Sequence, residues 1–179
     1  MTNCFDINLS LNPLKEDIDI KSYGTNAHTP IPITDININL ILILYKLGLK
    51  IQLVELFYTS SHSFTTIHTD AAGGDYTKMN FIYGGKNSKM IWYNVKSDSK
   101  KPINSTNIGT PYIGHELTEV DLIEEGSVKF PSIIQVGIPH NILNYEEPRY
   151  CLSIVLAKTL GGRITMNESL NIFKSYIVI

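Results

Sequence analysis

Between Pro32 and Tyr58 the spacing of apolar positions changes once, and that change predicts a helix followed by a strand. Thr34 or Asp35 is placed to cap a helix over roughly residues 36 to 46, with Leu40, Ile41, Leu44 and Leu47 as its apolar stripe. Gly48 stands where a helix-ending glycine belongs. Beyond it Leu49, Ile51, Leu53, Glu55 and Phe57 alternate with Lys50, Gln52, Val54, Leu56 and Tyr58, the pattern of a long strand with one buried face. Further strands are predicted near residues 64–70, 77–83, 89–95, 118–123, 132–137 and 149–157, separated by turn-forming segments such as GGKNS and NYEEP. The end, TMNESLNIFKSYIVI, predicts a short capped helix from about Asn167 and then an extended tail. Lys96 to Gly114 reads as a flexible loop. One helix ahead of many short strands favours an antiparallel sandwich or jelly roll over a parallel α/β sheet.

Composition narrows the class. The 179 residues, 43% hydrophobic and 18% charged, suffice for a single domain with a substantial core and are too few for two of ordinary size. A net charge of -2 with scattered lysines gives no reason to expect nucleic acid or anionic lipid as a partner. The most apolar window is interrupted by Lys46, Gly48, Lys50, Gln52 and Glu55, which argues against a spanning helix and a membrane location. Cys4 and Cys151 are too few for a disulfide framework, and the start MTNCFDINLSLNP lacks a secretory pattern. The expected setting is cytoplasmic and reducing.

Candidate chemistry begins in FTTIHTDAAGGDYTKMNFIYGG, where His68 and Asp70 stand two apart and project to one side of a strand. With five histidines and eight aspartates, such a pair arises by chance about one time in five, so it carries little alone. In VGIPHNILNYEEPRYCLSIVLA, His140 follows an apolar strand and a proline, and Arg149 opens the next strand. Alternation puts Arg149, Cys151 and Ser153 on one face and Tyr150, Leu152 and Ile154 on the other. A desolvated guanidinium costs several kcal/mol without an anionic partner, so Arg149 expects an anion. Glu146 and Glu147 just before it are the local alternatives to a bound one.

Together these fragments resemble the 2-oxoglutarate and Fe(II)-dependent oxygenases, whose signature is HxD or HxE, a later His, and an Arg or Lys about ten residues on. The places are held by His68, Asp70, His140 and Arg149, with Cys151 where the family's RxS serine would stand and Ser153 on the same face. The resemblance runs from about Leu49 to Leu156 and is greatest to small oxygenases of marine phages and bacteria. The chain is also similar to the aspartyl/asparaginyl β-hydroxylase group.

The resemblance implies a mainly β domain over residues 1–179: a double-stranded β-helix (jelly roll, cupin-like) core at about 49–157, with one or two short helices packed outside. It implies Fe(II) held by His68, Asp70 and His140, catalytic together, with 2-oxoglutarate as co-substrate held by Arg149, and O2 as oxidant. Two imidazoles and one carboxylate leave three coordination positions open, which suits non-haem iron oxygenases. The implied reaction is decarboxylation of 2-oxoglutarate to succinate coupled to hydroxylation of a small molecule or an exposed peptide side chain. Asn80 and Ser153 are candidate 2-oxoglutarate contacts and Tyr93 a pocket-lining residue, although asparagine and tyrosine in strands are as readily structural. His28, His62 and His115 read as surface or pocket-rim residues. Two alternatives stay open: a non-catalytic jelly-roll binding or structural module, and a cupin-like metalloenzyme that does not use 2-oxoglutarate.

Overall fold

The computed structural model describes residues 3–70, 74–97, 101–128 and 131–178. Helix α1 (Ile38–Lys46) starts after Asn37, whose side-chain oxygen accepts from the Asn39 amide at 2.9 Å. The predicted caps, Thr34 and Asp35, lie instead in a 3-10 turn (Ile33–Asp35) just ahead. Gly48 follows the helix at φ 75°, as a C′ residue in the left-handed region does. Leu40 and Leu44 are fully buried, with Ile41 and Leu47 packed partly beside them.

The strands are β1 (Cys4–Asp6), β2 (His28–Pro30), β3 (Leu49–Thr59), β4 (Ser63–Phe64), β5 (Ile67–Asp70), β6 (Thr77–Gly84) and β7 (Lys89–Val95), followed by β8 (Asn104–Ser105), β9 (Pro111–His115), β10 (Val120–Gly126), β11 (Ser132–Gln135), β12 (His140–Asn144) and β13 (Arg149–Lys158). They form two antiparallel sheets, ordered β1-β11-β6-β13-β3-β2 and β10-β7-β12-β5-β9-β8, with β4 attached to β12. The fold is mainly β, as expected. The predicted strand at 64–70 is broken at Thr65, whose hydroxyl accepts from the Ile142 amide at 2.9 Å and so diverts a ladder bond to a side chain. The stretch from Lys96 to Gly114, read as a loop, holds β8 and most of β9, while residues 98–100 fall outside the described ones. Helix α2 (Met166–Ile172) is capped by Thr165 and Glu168 in a capping box. A 3-10 turn (Lys174–Tyr176) follows it where an extended tail was expected.

The alternation in β3 does not run through. Leu156 pairs with Ile51 and Val155 with Leu53, so Gln52 is an extra residue in a bulge that resets the faces. Leu49 and Ile51 therefore share a layer with Val54 and Leu56. Leu53, Glu55, Phe57 and Thr59 line the space on the opposite side.

Two main apolar layers follow. One joins α1, Ile164 and Phe173 to Met79, Phe81, Leu152 and Ile154 on the outer face of the first sheet. The other lies between the sheets, where Met90 and Trp92 of β7 meet Ile134 and Val136, and the Trp92 indole donates to the Gln135 carbonyl at 3.0 Å. Among the described residues no helix is long and apolar enough to cross a membrane. Leu40→Ala is expected to cost about 2–5 kcal/mol by chemical denaturation, because it opens a cavity under α1. Leu42→Ala, on the exposed side of the same helix, should change stability by less than about 0.5 kcal/mol.

Candidate metal centre

Strand β5 alternates, so His68 and Asp70 leave the sheet on the same side. Strand β12 opens with His140 directly opposite His68 in the antiparallel register. The two imidazole centroids lie 4.5 Å apart, and His68 Nε2 is 3.4 Å from Asp70 Oδ1. One ligand atom from each of His68, Asp70 and His140 falls within 4.8 Å of the others, so the three could hold a metal ion.

The imidazoles are oriented for that role by their own strands. His68 Nδ1 lies 2.9 Å from the Thr66 carbonyl and His140 Nδ1 lies 2.9 Å from the Ile138 carbonyl. A carbonyl only accepts, so each Nδ1 carries the proton and each neutral ring keeps its Nε2 lone pair for a ligand. Burial, with the His68 ring adding to it, pushes the His140 pKa down to about 4, which keeps that ring neutral. For His68, burial also lowers the pKa, but the hydrogen bond and charge of Asp70 outweigh it and the net direction is upward. Burial would raise the Asp70 carboxyl. Lys78 and the His68 hydrogen bond overcome it and hold the group far below the usual carboxylate range.

From the first sheet, Asn80 of β6 and Arg149, Cys151 and Ser153 of β13 face the same narrow slot as the three metal-ligand candidates. The alternation expected for β13 is the one observed, since Leu152 and Ile154 lie in the outer apolar layer. Arg149 is 3% exposed, its Nε has no hydrogen-bond partner, and no carboxylate pairs with it among the described residues. The local carboxylates are used elsewhere: Glu146 pairs with Lys86 at 3.1 Å, and Glu147 accepts from the Lys86 amide at 3.0 Å. Gly85, which reads as a simple turn residue in the sequence, makes room for this arginine. A Cβ there would stand 2.7 Å from Arg149 Cγ, and the backbone is left-handed at φ 66°. The Asn80 side-chain oxygen is likewise buried without a hydrogen-bond partner among the described residues.

A larger cavity of about 350 Å³ adjoins the slot and shares Phe57, Thr59, Thr65, His68, Asp70 and Lys78 with it. Phe57, Tyr58 and Tyr112 supply its apolar walls, and Thr65, Thr106 and Thr110 its hydroxyls. His28 borders it, and burial lowers the pKa of that ring. Tyr93 does not join this group. It packs with Ile67, Ile91 and Val120 in a separate cluster, and its hydroxyl donates to Asn141 Oδ1 at 3.1 Å.

Two residues beside the centre carry more than the sequence predicts: Lys78 is expected only to share a side with Asn80, and Glu55 only to alternate along β3. Lys78 is 4% exposed and Glu55 fully buried, and Lys78 Nζ lies 2.7 Å from Asp70 Oδ2 and 3.4 Å from Glu55 Oε2. The available signal was a charged residue flanked by apolar ones in each of two strands, Glu55 between Val54 and Leu56 and Lys78 next to Met79. No protein-family model matches the chain, and no curated protein matches it.

Proposed function

We propose that this chain is a 2-oxoglutarate- and Fe(II)-dependent dioxygenase on a jelly-roll core, hydroxylating a small molecule or an exposed peptide side chain. The observation that carries this reading is a buried arginine with no carboxylate partner among the described residues, facing the same slot as a His-Asp-His group. The strand order supports the jelly roll: β3, β13, β6 and β11 are neighbours in one sheet, and β5, β12, β7 and β10 in the other, so the chain passes repeatedly between sheets.

The donor set fits iron. Two neutral imidazole nitrogens and one carboxylate oxygen are the ligands of non-haem Fe(II) oxygenases, and His68, Asp70 and His140 would supply them. Iron so held supplies O2 activation, coupled to decarboxylation of 2-oxoglutarate and oxygen insertion into a C–H bond. Arg149 would grip the far carboxylate of 2-oxoglutarate with two parallel donors, and Asn80 and Ser153 border the same slot. The buried charges agree with a dianion. Asp70 and Glu55 offset Lys78 and Arg149, so a divalent cation would add two unmatched positive charges that a dicarboxylate cancels. Lys78 is already engaged by two carboxylates, which leaves the arginine as the free partner. The 350 Å³ cavity, aromatic with hydroxyl groups, is of a size to take the substrate.

The test is succinate release. Purified protein given Fe(II), 2-oxoglutarate and air is expected to form succinate slowly, with the product lost when Fe(II) is omitted. Metal uptake without 2-oxoglutarate binding would assign a cupin-like metalloenzyme instead. Binding of neither would leave a jelly-roll binding or structural module.

A further inference from the structure

We propose that Lys78 is a positioning residue for Asp70, holding that carboxylate so that a single oxygen faces the metal. This rests on the metal reading above. A carboxylate with both oxygens free can close on a cation through two bonds and use up a position that a co-substrate or O2 would need. Here Asp70 Oδ2 is taken by the Lys78 ammonium at 2.7 Å. Oδ1 lies 3.4 Å from His68 Nε2 and so remains on the side of the candidate ligands. The Asp70 backbone is held as well, because its amide donates to the Val136 carbonyl at 3.0 Å and the Tyr76 hydroxyl donates to its main-chain carbonyl.

A lone buried ammonium next to a divalent cation would repel it. Glu55 removes that difficulty: it lies on β3, fully buried, 3.4 Å from Lys78 Nζ, and makes the pair neutral. Its other oxygen accepts from the Thr110 hydroxyl at 2.6 Å, so Glu55 is itself held in place from the segment between β8 and β9. The Gln52 bulge makes this possible by turning Glu55 toward Lys78. Asp70 thus keeps its negative charge for the metal while its second oxygen is occupied.

The discriminating variant is Lys78→Met/Glu55→Gln, which removes the pair without changing the net charge. Thermal unfolding first checks that the double variant folds, because Asp70 loses its ammonium partner. Titration with Co(II) is expected to show affinity lowered about 10- to 100-fold, with an altered visible absorption spectrum. Unchanged affinity and spectrum in a folded double variant would overturn the proposal while leaving the metal site intact. A wild type that binds no Co(II) would remove the metal reading and this inference with it. A crystal structure of the Co(II)-loaded wild type decides the matter without a variant. Lys78 should remain hydrogen-bonded to Asp70 Oδ2 with Oδ1 alone on the metal, and a bidentate Asp70 overturns the proposal.

Discussion

Arg149→Ala is expected to weaken 2-oxoglutarate binding by about 30-fold or more while leaving pyruvate binding nearly unchanged. Arg149 is 3% exposed, lacks a carboxylate partner among the described residues and faces the slot beside the metal-ligand candidates. Truncating one partner of a buried charge pair costs about 2–5 kcal/mol, since the other charge stays desolvated and unmatched. The lower half of that range corresponds to the predicted loss of affinity. Pyruvate keeps the chelating keto acid and lacks the distal carboxylate, so it should bind the wild type poorly and be indifferent to the substitution. Arg149→Lys should also bind 2-oxoglutarate measurably less well, because an ammonium cannot reproduce the planar two-donor fork. Each keto acid is titrated into the anaerobic Fe(II) protein and followed by its metal-to-ligand charge-transfer band. Equal losses for both keto acids in Arg149→Ala would mean that the arginine only supports the fold, for which its stem against Gly85 gives a structural reason.

The second large effect concerns the metal itself. One divalent ion per chain is expected in the wild type, and none in the His68→Ala/His140→Ala double variant, by metal analysis after dialysis. Asp70→Ala should abolish turnover and leave the fold intact, because none of the three residues belongs to the apolar layers around Trp92 or under α1. Metal stoichiometry unchanged in the double variant would sink the assignment. Binding should also depend on pH with a definite sign. The ligand form of His68 is neutral and the hydrogen bond and charge of Asp70 raise its pKa, so protons compete at a higher pH than for an ordinary imidazole and affinity falls as pH is lowered. His140, depressed to about 4, adds competition only in stronger acid.

Much of the site follows from local rules that a sequence carries. A period of two puts His68 with Asp70, and Arg149 with Cys151 and Ser153, whatever the rest of the chain does. Helix α1 was legible for the same reason: its stripe and Gly48 are local signals, and only the capping residue shifted, to Asn37. Strand β12 was less legible because its asparagines are poor strand formers, and pairing with β7 and β5 supplies what propensity does not.

Alternation states which residues share a face. It does not state what that face meets. The register of β5 against β12, set by pairing between distant segments, brought His140 opposite His68. A bulge at Gln52, visible only in the pairing of β3 with β13, turned Glu55 inward to Lys78 and shifted the buried face that the sequence implied. Tyr93, named as a pocket-lining candidate although strand tyrosines are more often core, was carried into a separate cluster with Ile67 and Val120. The sequence by itself determined the strand-rich class, the helix and the two local residue groups, because those depend on neighbours along the chain. The tertiary structure decided that the groups meet around one buried slot, because register, bulges and sheet stacking are fixed by burial and hydrogen bonding between segments far apart in the chain.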